Sequence, residues 1–187
     1  MKLIKKISDL KKAIQKFDNI GFIPTMGGLH KGHISLIKTS SKKCNKNLVS
    51  IYVNPKQFNK KKDFIDYPRE INKDLNILKK LNVDIVFLPS TSDIYRSRRL
   101  KKIILRKKDK ILCAKYRMGH FEGVIDIMDR FISIIKPKYV FMGEKDYQQF
   151  FLVKNYIKKL HGTKFYKCKT IRDKDYIAIS TRNSLLN

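Results

Sequence analysis

The stretch Ile23–Ile37, "IPTMGGLHKGHISLI", decides the fold. An apolar run ends in two glycines, and a segment with apolar residues at helical spacing follows. This order reads as a strand that feeds a helix through a glycine turn. His30 and His33, three positions apart, then sit at the helix start and point to one side. The first backbone N–H groups of a helix lack partners there, and the helix dipole favours anions. A phosphate is the expected guest. The plain alternative is a tight turn with one histidine satisfied in a core.

The same rhythm continues on both sides. Apolar, β-type runs occur at Ile20–Pro24, Asn47–Val53, Val83–Pro89, Tyr139–Gly143 and Thr163–Cys168. Helix-like segments lie between them at Gly32–Lys43, Arg69–Leu81, Gly123–Ile135 and Tyr147–Leu160. Near-continuous apolar strands separated by amphipathic helices predict an α/β fold with a doubly wound parallel sheet. Ligands of such sheets bind beyond the carboxyl ends of the strands. "PTMGGLH", "NPKQF" and "GEKD" each follow a predicted strand, so they are expected to converge on one crevice. The N-terminal "MKLIKKISDLKKAIQKF" reads as a short amphipathic helix with Ser8 or Asp9 near its cap. Ile103–Leu105 is a candidate short strand. "RSRRLKK" before it and Arg106–Lys110 after it read as solvated charged segments.

Composition narrows the function classes. No apolar run approaches a membrane span, and lysines interrupt the N-terminal region where a signal peptide would be apolar. Cys44, Cys113 and Cys168 are scattered without metal-ligand spacing, so no metal ligands are assigned and reduced thiols in a cytoplasm are expected. With 43 basic and 16 acidic residues among 187, the net charge is +27. That charge raises the possibility of a nucleic-acid binder. The basic residues are mostly dispersed lysines, however, and lysine lacks the planar fork that reads guanine or phosphate. No specific nucleic-acid partner is expected.

The ordered series "PTMGGLHKGHISLI", "SIYVNPKQF", "YPR", "GHFEGV", "GEKDYQQ" and "STRN" resembles the pantothenate synthetase family from about Ile20 to Leu186. The resemblance implies a Rossmann-like domain of the class I synthetase and nucleotidyltransferase type. It also implies ATP-dependent joining of pantoate and β-alanine through a pantoyl adenylate, with Mg2+, in a cytoplasmic homodimer. Met26, Gly27, Gly28, Leu29, His30, Lys31, Gly32 and His33 match the family's ATP-binding loop, with His33 the active-site acid. Gly143, Glu144, Lys145 and Asp146 match a second nucleotide-binding stretch, and Ile171 an adenine-contacting position. Ile179, Ser180, Thr181 and Arg182 stand where the family has a mobile Ser-Ser-Arg segment that binds the triphosphate. Gln57 matches a residue for pantoate and β-alanine, Gln149 one for pantoate, and His120 is a weaker candidate for the pantoate pocket.

Several positions depart from the family pattern. Gly28 replaces a bulkier residue and is expected to loosen the loop, and Thr181 replaces serine. Tyr176 stands where glycine is usual and is expected to stiffen or misplace its loop. Met118 replaces proline and Ala114 replaces glycine. The family continues past the position of Asn187 into a smaller covering domain, so residues 1–187 are expected to form a single adenylating domain without that lid. An ATP-binding or adenylating remnant and a basic RNA-binding module are the competing readings.

Overall fold

The computed structural model describes residues 1–96 and 103–185. Its strands are β1 (Lys2–Ile4), β2 (Ile20–Thr25), β3 (Lys46–Ile51), β4 (Ile85–Phe87), β5 (Tyr139–Gly143) and β6 (Lys164–Cys168). The helices are α1 (Ile7–Ile14), α2 (Lys31–Ser41), α3 (Lys61–Ile65), α4 (Ile71–Lys80), α5 (Thr91–Ile94), α6 (Cys113–Tyr116), α7 (His120–Ile135) and α8 (Tyr147–His161). Among the described residues one sheet forms, in the order β1-β4-β3-β2-β5-β6, and its pairings are parallel. The chain winds from β2 through β3 to β4, then returns to β5 on the other side of β2. The topological switch point therefore lies between β2 and β5, where such folds open a crevice.

Successive strand residues supply opposite faces. Phe22, Leu48, Ile85, Phe87, Val140 and Met142 pack with residues of α1, α7 and α8. Ile23, Val49, Val86 and Phe141 pack with Leu36 and Ile37 of α2 and Leu78 of α4. Two buried faces explain why these strands read as continuous apolar runs.

The N-terminus corrects the expectation of one helix. Lys2–Ile4 instead pairs with Ile85–Phe87 as an edge strand. The helix starts at Ile7, and neither Ser8 nor Asp9 caps it; Lys6 holds the cap position without a side-chain bond. Asp93 supplies the missing acceptor from a distance, taking the Ile7 N–H at 2.9 Å. A three-residue edge strand is too short for its alternation to be read from sequence.

Ile103–Leu105 forms no strand; Leu105 is buried in the core without ladder bonds. Most of "RSRRLKK" lies outside the described residues. Arg106–Lys110 is more than a solvated turn. Its Asp109 is buried, bonded to Arg106 at 2.7 Å and to the Tyr156 hydroxyl at 2.9 Å.

Candidate active site

The glycine turn ends β2 and begins α2. Gly27 and Gly28 have φ of +87° and +62°, a region that side chains with a Cβ enter at a cost. Asp74 of α4, 1% exposed, holds the turn from beneath. Its two carboxylate oxygens accept the Gly28 N–H at 2.9 Å and the Leu29 N–H at 2.7 Å. Burial raises the Asp74 pKa, and these two backbone bonds oppose the rise. The sequence reading gave Asp74 no role. Its only signal was an acid on the apolar stripe of a predicted helix, one turn before Leu78.

His30 caps α2 and His33 completes a reciprocal box. His30 Nδ1 accepts the Gly32 N–H at 3.0 Å, and His33 Nδ1 accepts the His30 N–H at 3.3 Å. The rings lie 4.1 Å apart between centroids. Burial, then the neighbouring His30 and Lys145, lower the His33 pKa to about 3. Burial and Lys145 also lower that of His30. Both rings are thus neutral near pH 7. With each Nδ1 accepting, each proton resides on Nε2, so the pair offers two N–H donors.

Both rings line a cavity of about 380 Å³ beyond the ends of β2 and β5. Of the residues singled out in the sequence, Met26, Gly32, Gln57, Gly143, Lys145, Asp146, Gln149 and Ile171 line it too, as do Ile179 to Arg182. Gly27, Gly28 and Leu29 shape the turn rather than the lining. Lys31 is exposed on the first turn of α2, and Glu144 is ion-paired with Lys167 instead of facing the cavity. Lys145 bonds Asp146 at 2.9 Å.

The segment from Ile179 folds over the glycine turn. Ile179 N–H donates to Ile171 O at 3.0 Å, and Thr181 Oγ1 to Gly28 O at 3.1 Å. Arg182 is turned onto Asp63, with Nη2 at 2.9 and 3.1 Å from the two carboxylate oxygens. Arg117, which sequence reasoning passed over, also lines the cavity, and burial and Arg182 lower its pKa. Arg117, Lys145, Lys169 and Arg182 make the lining strongly basic, with Asp146 its one acid among the described residues.

Gln57 ends a 3-10 turn, Pro55–Gln57, that is clamped by α7. A Cβ at Gly123 would come 2.3 Å from Lys56 O, so glycine there permits the close approach. Buried Asn54 donates to Gly123 O at 3.2 Å and accepts the Tyr95 hydroxyl at 2.8 Å. His120 Nδ1 lies 2.6 Å from Gln57 O. A carbonyl only accepts, so Nδ1 carries the proton. Burial keeps the His120 pKa low, which leaves Nε2 an acceptor. His120 is therefore the opposite tautomer to the His30–His33 pair.

Tyr176 sits in a closed turn. The turn closes with Arg172 and Ala178 bridged, and Tyr176, 81% exposed, takes a φ of +60°. Tyr176→Gly should relieve the left-handed strain, partly offset by glycine's greater chain entropy. A rise in Tm of about 1–3 °C is expected. A fall on thermal melting would show that the ring stabilises the turn.

The family model described as pantoate-beta-alanine ligase matches residues 2–187. This chain belongs to that family. A pantothenate synthetase of Clostridium botulinum is 38% identical over 192 residues, covering 100% of this chain and 68% of the relative. One from Leptospira biflexa is 40% identical over 193 residues, with 100% and 68% covered. The pantoate-beta-alanine ligase of Francisella tularensis, solved in complex with "beta-gamma ATP" and β-alanine, superimposes with a TM-score of 0.96 at 38% identity. That match covers 100% of this chain and 74% of the other. Pantothenate synthetase from Thermus thermophilus gives a TM-score of 0.95 at 30% identity, covering 100% of this chain and 68% of the other. Among the described residues no helix is long and apolar enough to cross a membrane.

Proposed function

We propose that this ligase joins (R)-pantoate to β-alanine with ATP as co-substrate, through a pantoyl adenylate, with residues 1–187 forming the adenylating domain. The observation that carries the reading is the neutral His30–His33 pair, two Nε2–H donors at a helix N-terminus lining a basic cavity. In the first step the pantoate carboxylate attacks the α-phosphorus, and the bond to the bridging oxygen breaks to release pyrophosphate. In the second, the β-alanine amine attacks the acyl carbon, the acyl C–O bond breaks to release AMP, and the nitrogen gives up a proton to solvent. Negative charge grows on phosphate oxygens in the first step, so positioned donors and cations supply most of the assistance.

His33 and His30 donate to the phosphates, and Lys145 neutralises their charge. Arg182 and Ser180 take the triphosphate tail, and Ile171 contacts the adenine. His33 acts as a neutral hydrogen-bond donor rather than as an imidazolium acid. Gln57 and Gln149 hold the carboxylate and hydroxyls of pantoate, because amides both donate and accept. His120 Nε2 is an acceptor for one of those hydroxyls, and Phe58 and Val124 of the lining suit the methyl groups. Gln57 also lies beside the β-alanine site.

The lining fits magnesium carried on the nucleotide, because Asp146 is its single carboxylate among the described residues. Mg2+ typically binds through one or two carboxylates plus substrate phosphates, and it would neutralise charge there. Cys44, Cys113 and Cys168 are unpaired, which suits a reducing cytoplasm. Homodimerisation belongs to this reading. Exposed large apolar side chains such as Ile111, Leu112 and Phe151 support it.

Pantoate-dependent ATP–pyrophosphate exchange, followed by a pantothenate assay with β-alanine, tests the reading. Exchange without pantothenate would reduce it to adenylation alone. Gln57→Ala and Gln149→Ala should each raise the pantoate KM by about tenfold, the effect of an unpaired buried polar group, and move the ATP KM far less. Equal rises for both substrates would remove these glutamines from the pantoate pocket.

A further inference from the structure

Gly28 and Thr181, two positions at which the chain departs from the family pattern, meet across the site. A Cβ on Gly28 would lie 2.2 Å from Thr181 Cγ2, but 3.4 Å from Thr181 Cβ and Oγ1. The clash is therefore with the threonine methyl alone. Residue 28 cannot back away, because Asp74 holds its N–H at 2.9 Å from the far side. Thr181 Oγ1 meanwhile donates to Gly28 O at 3.1 Å, which draws the methyl into the notch. Arg182 follows directly in the chain, anchored on Asp63.

We propose that Gly28 and Thr181 are an interlocked positioning pair. The Thr181 methyl seats in the notch that only glycine leaves, and this fit sets where the 179–182 segment rests on the glycine turn. Gly28 thus does not loosen the loop; the space it frees is filled from the segment above. The interlock is steric and needs no nucleotide. Its effect on ATP rests on the function proposed above, because that segment carries Ser180 and Arg182.

A double-mutant cycle tests the pair. Parent, G28A, T181S and G28A/T181S are compared for Tm and for the Kd of a non-hydrolysable ATP analogue. Removing the methyl leaves a Cβ at residue 28 with contacts of 3.4 Å, so the serine substitution should rescue the alanine one. With Thr181 present, G28A should weaken analogue binding at least about tenfold and lower Tm by about 3 °C or more. In the T181S background, the same change should cost less than about threefold and correspondingly less in Tm. Alanine's strain at positive φ is common to both backgrounds and cancels in the ratio.

G28N repeats the cycle with the residue best suited after glycine to that conformation, and decides the matter if G28A folds in neither background. Folding of a residue-28 variant only when combined with T181S would support the pair. Losses that are the same in both backgrounds, in Tm and in Kd, would overturn it. Failure of the parent to bind the analogue would overturn the functional reading and leave the Tm cycle to judge the interlock.

Discussion

His33→Ala is expected to lower pantoate-dependent ATP–pyrophosphate exchange by about a hundredfold or more, the usual effect of removing one preorganised donor aimed at developing charge. The expectation follows from the tautomer. His33 Nδ1 is occupied by the His30 N–H, so Nε2–H is the free donor. His33→Gln should retain part of the activity, since its amide offers an N–H. The pH profile separates this role from that of an imidazolium acid. A charged His33 with an ordinary pKa would make the rate fall about tenfold per unit above pH 6.5. With the pKa lowered to about 3, no such limb from His33 is expected between pH 6 and 8. Stability carries the matching sign. The unfolded chain takes up this proton near pH 6.5 and the folded one only near 3, so stability falls as pH drops through that window. His33→Gln should reduce this acid sensitivity on a pH series of melts. An exchange rate equal to that of the parent in His33→Ala would exclude the role.

The parts that were legible in the sequence are those written as local pattern. The strand ends that carry "PTMGGLH", "NPKQF" and "GEKD" do meet in one cavity, because a parallel sheet puts every carboxyl end on one side. Helices long enough to show period 3.6 appear within a few residues of their expected bounds; α7 begins at His120, three residues early, because Gly119 takes a φ of +80° that local pattern does not encode. What was illegible depends on contacts between distant segments. β1 exists only by pairing with β4, and the first turn of α1 is completed by Asp93. Departures from the family pattern also sit in contacts of this kind. Gly28 lies against the Thr181 methyl, 153 positions away, and Tyr176 takes a left-handed backbone that its own residue type does not announce.

Asp74 belongs to that distant class, and its removal is the second strong expectation. Asp74→Ala leaves the Gly28 and Leu29 N–H groups buried and unpaired, each costing about 1–3 kcal/mol. For a chain of this size such a loss lowers Tm by about 5 °C or more. The functional loss should be larger than the structural one, because these two N–H groups set the left-handed turn that delivers His30 to the cap of α2. ATP binding, measured well below Tm, is expected to weaken at least about thirtyfold, corresponding to about 2 kcal/mol of lost turn geometry. Asp74→Asn makes the argument sharper. It has nearly the same volume, but its NH2 group must face one of the two N–H donors, so only one bond survives. It should therefore fall between the parent and the alanine variant in both Tm and ATP affinity. Burial already raises the Asp74 pKa, so a neutral replacement that kept both bonds would stabilise the turn. The asparagine variant thus weighs the acceptor count against the charge. An asparagine variant at least as stable as the parent and binding ATP equally well would mean that desolvation outweighs the lost bond. ATP affinity unchanged in the alanine variant would mean that the turn holds its shape without the carboxylate.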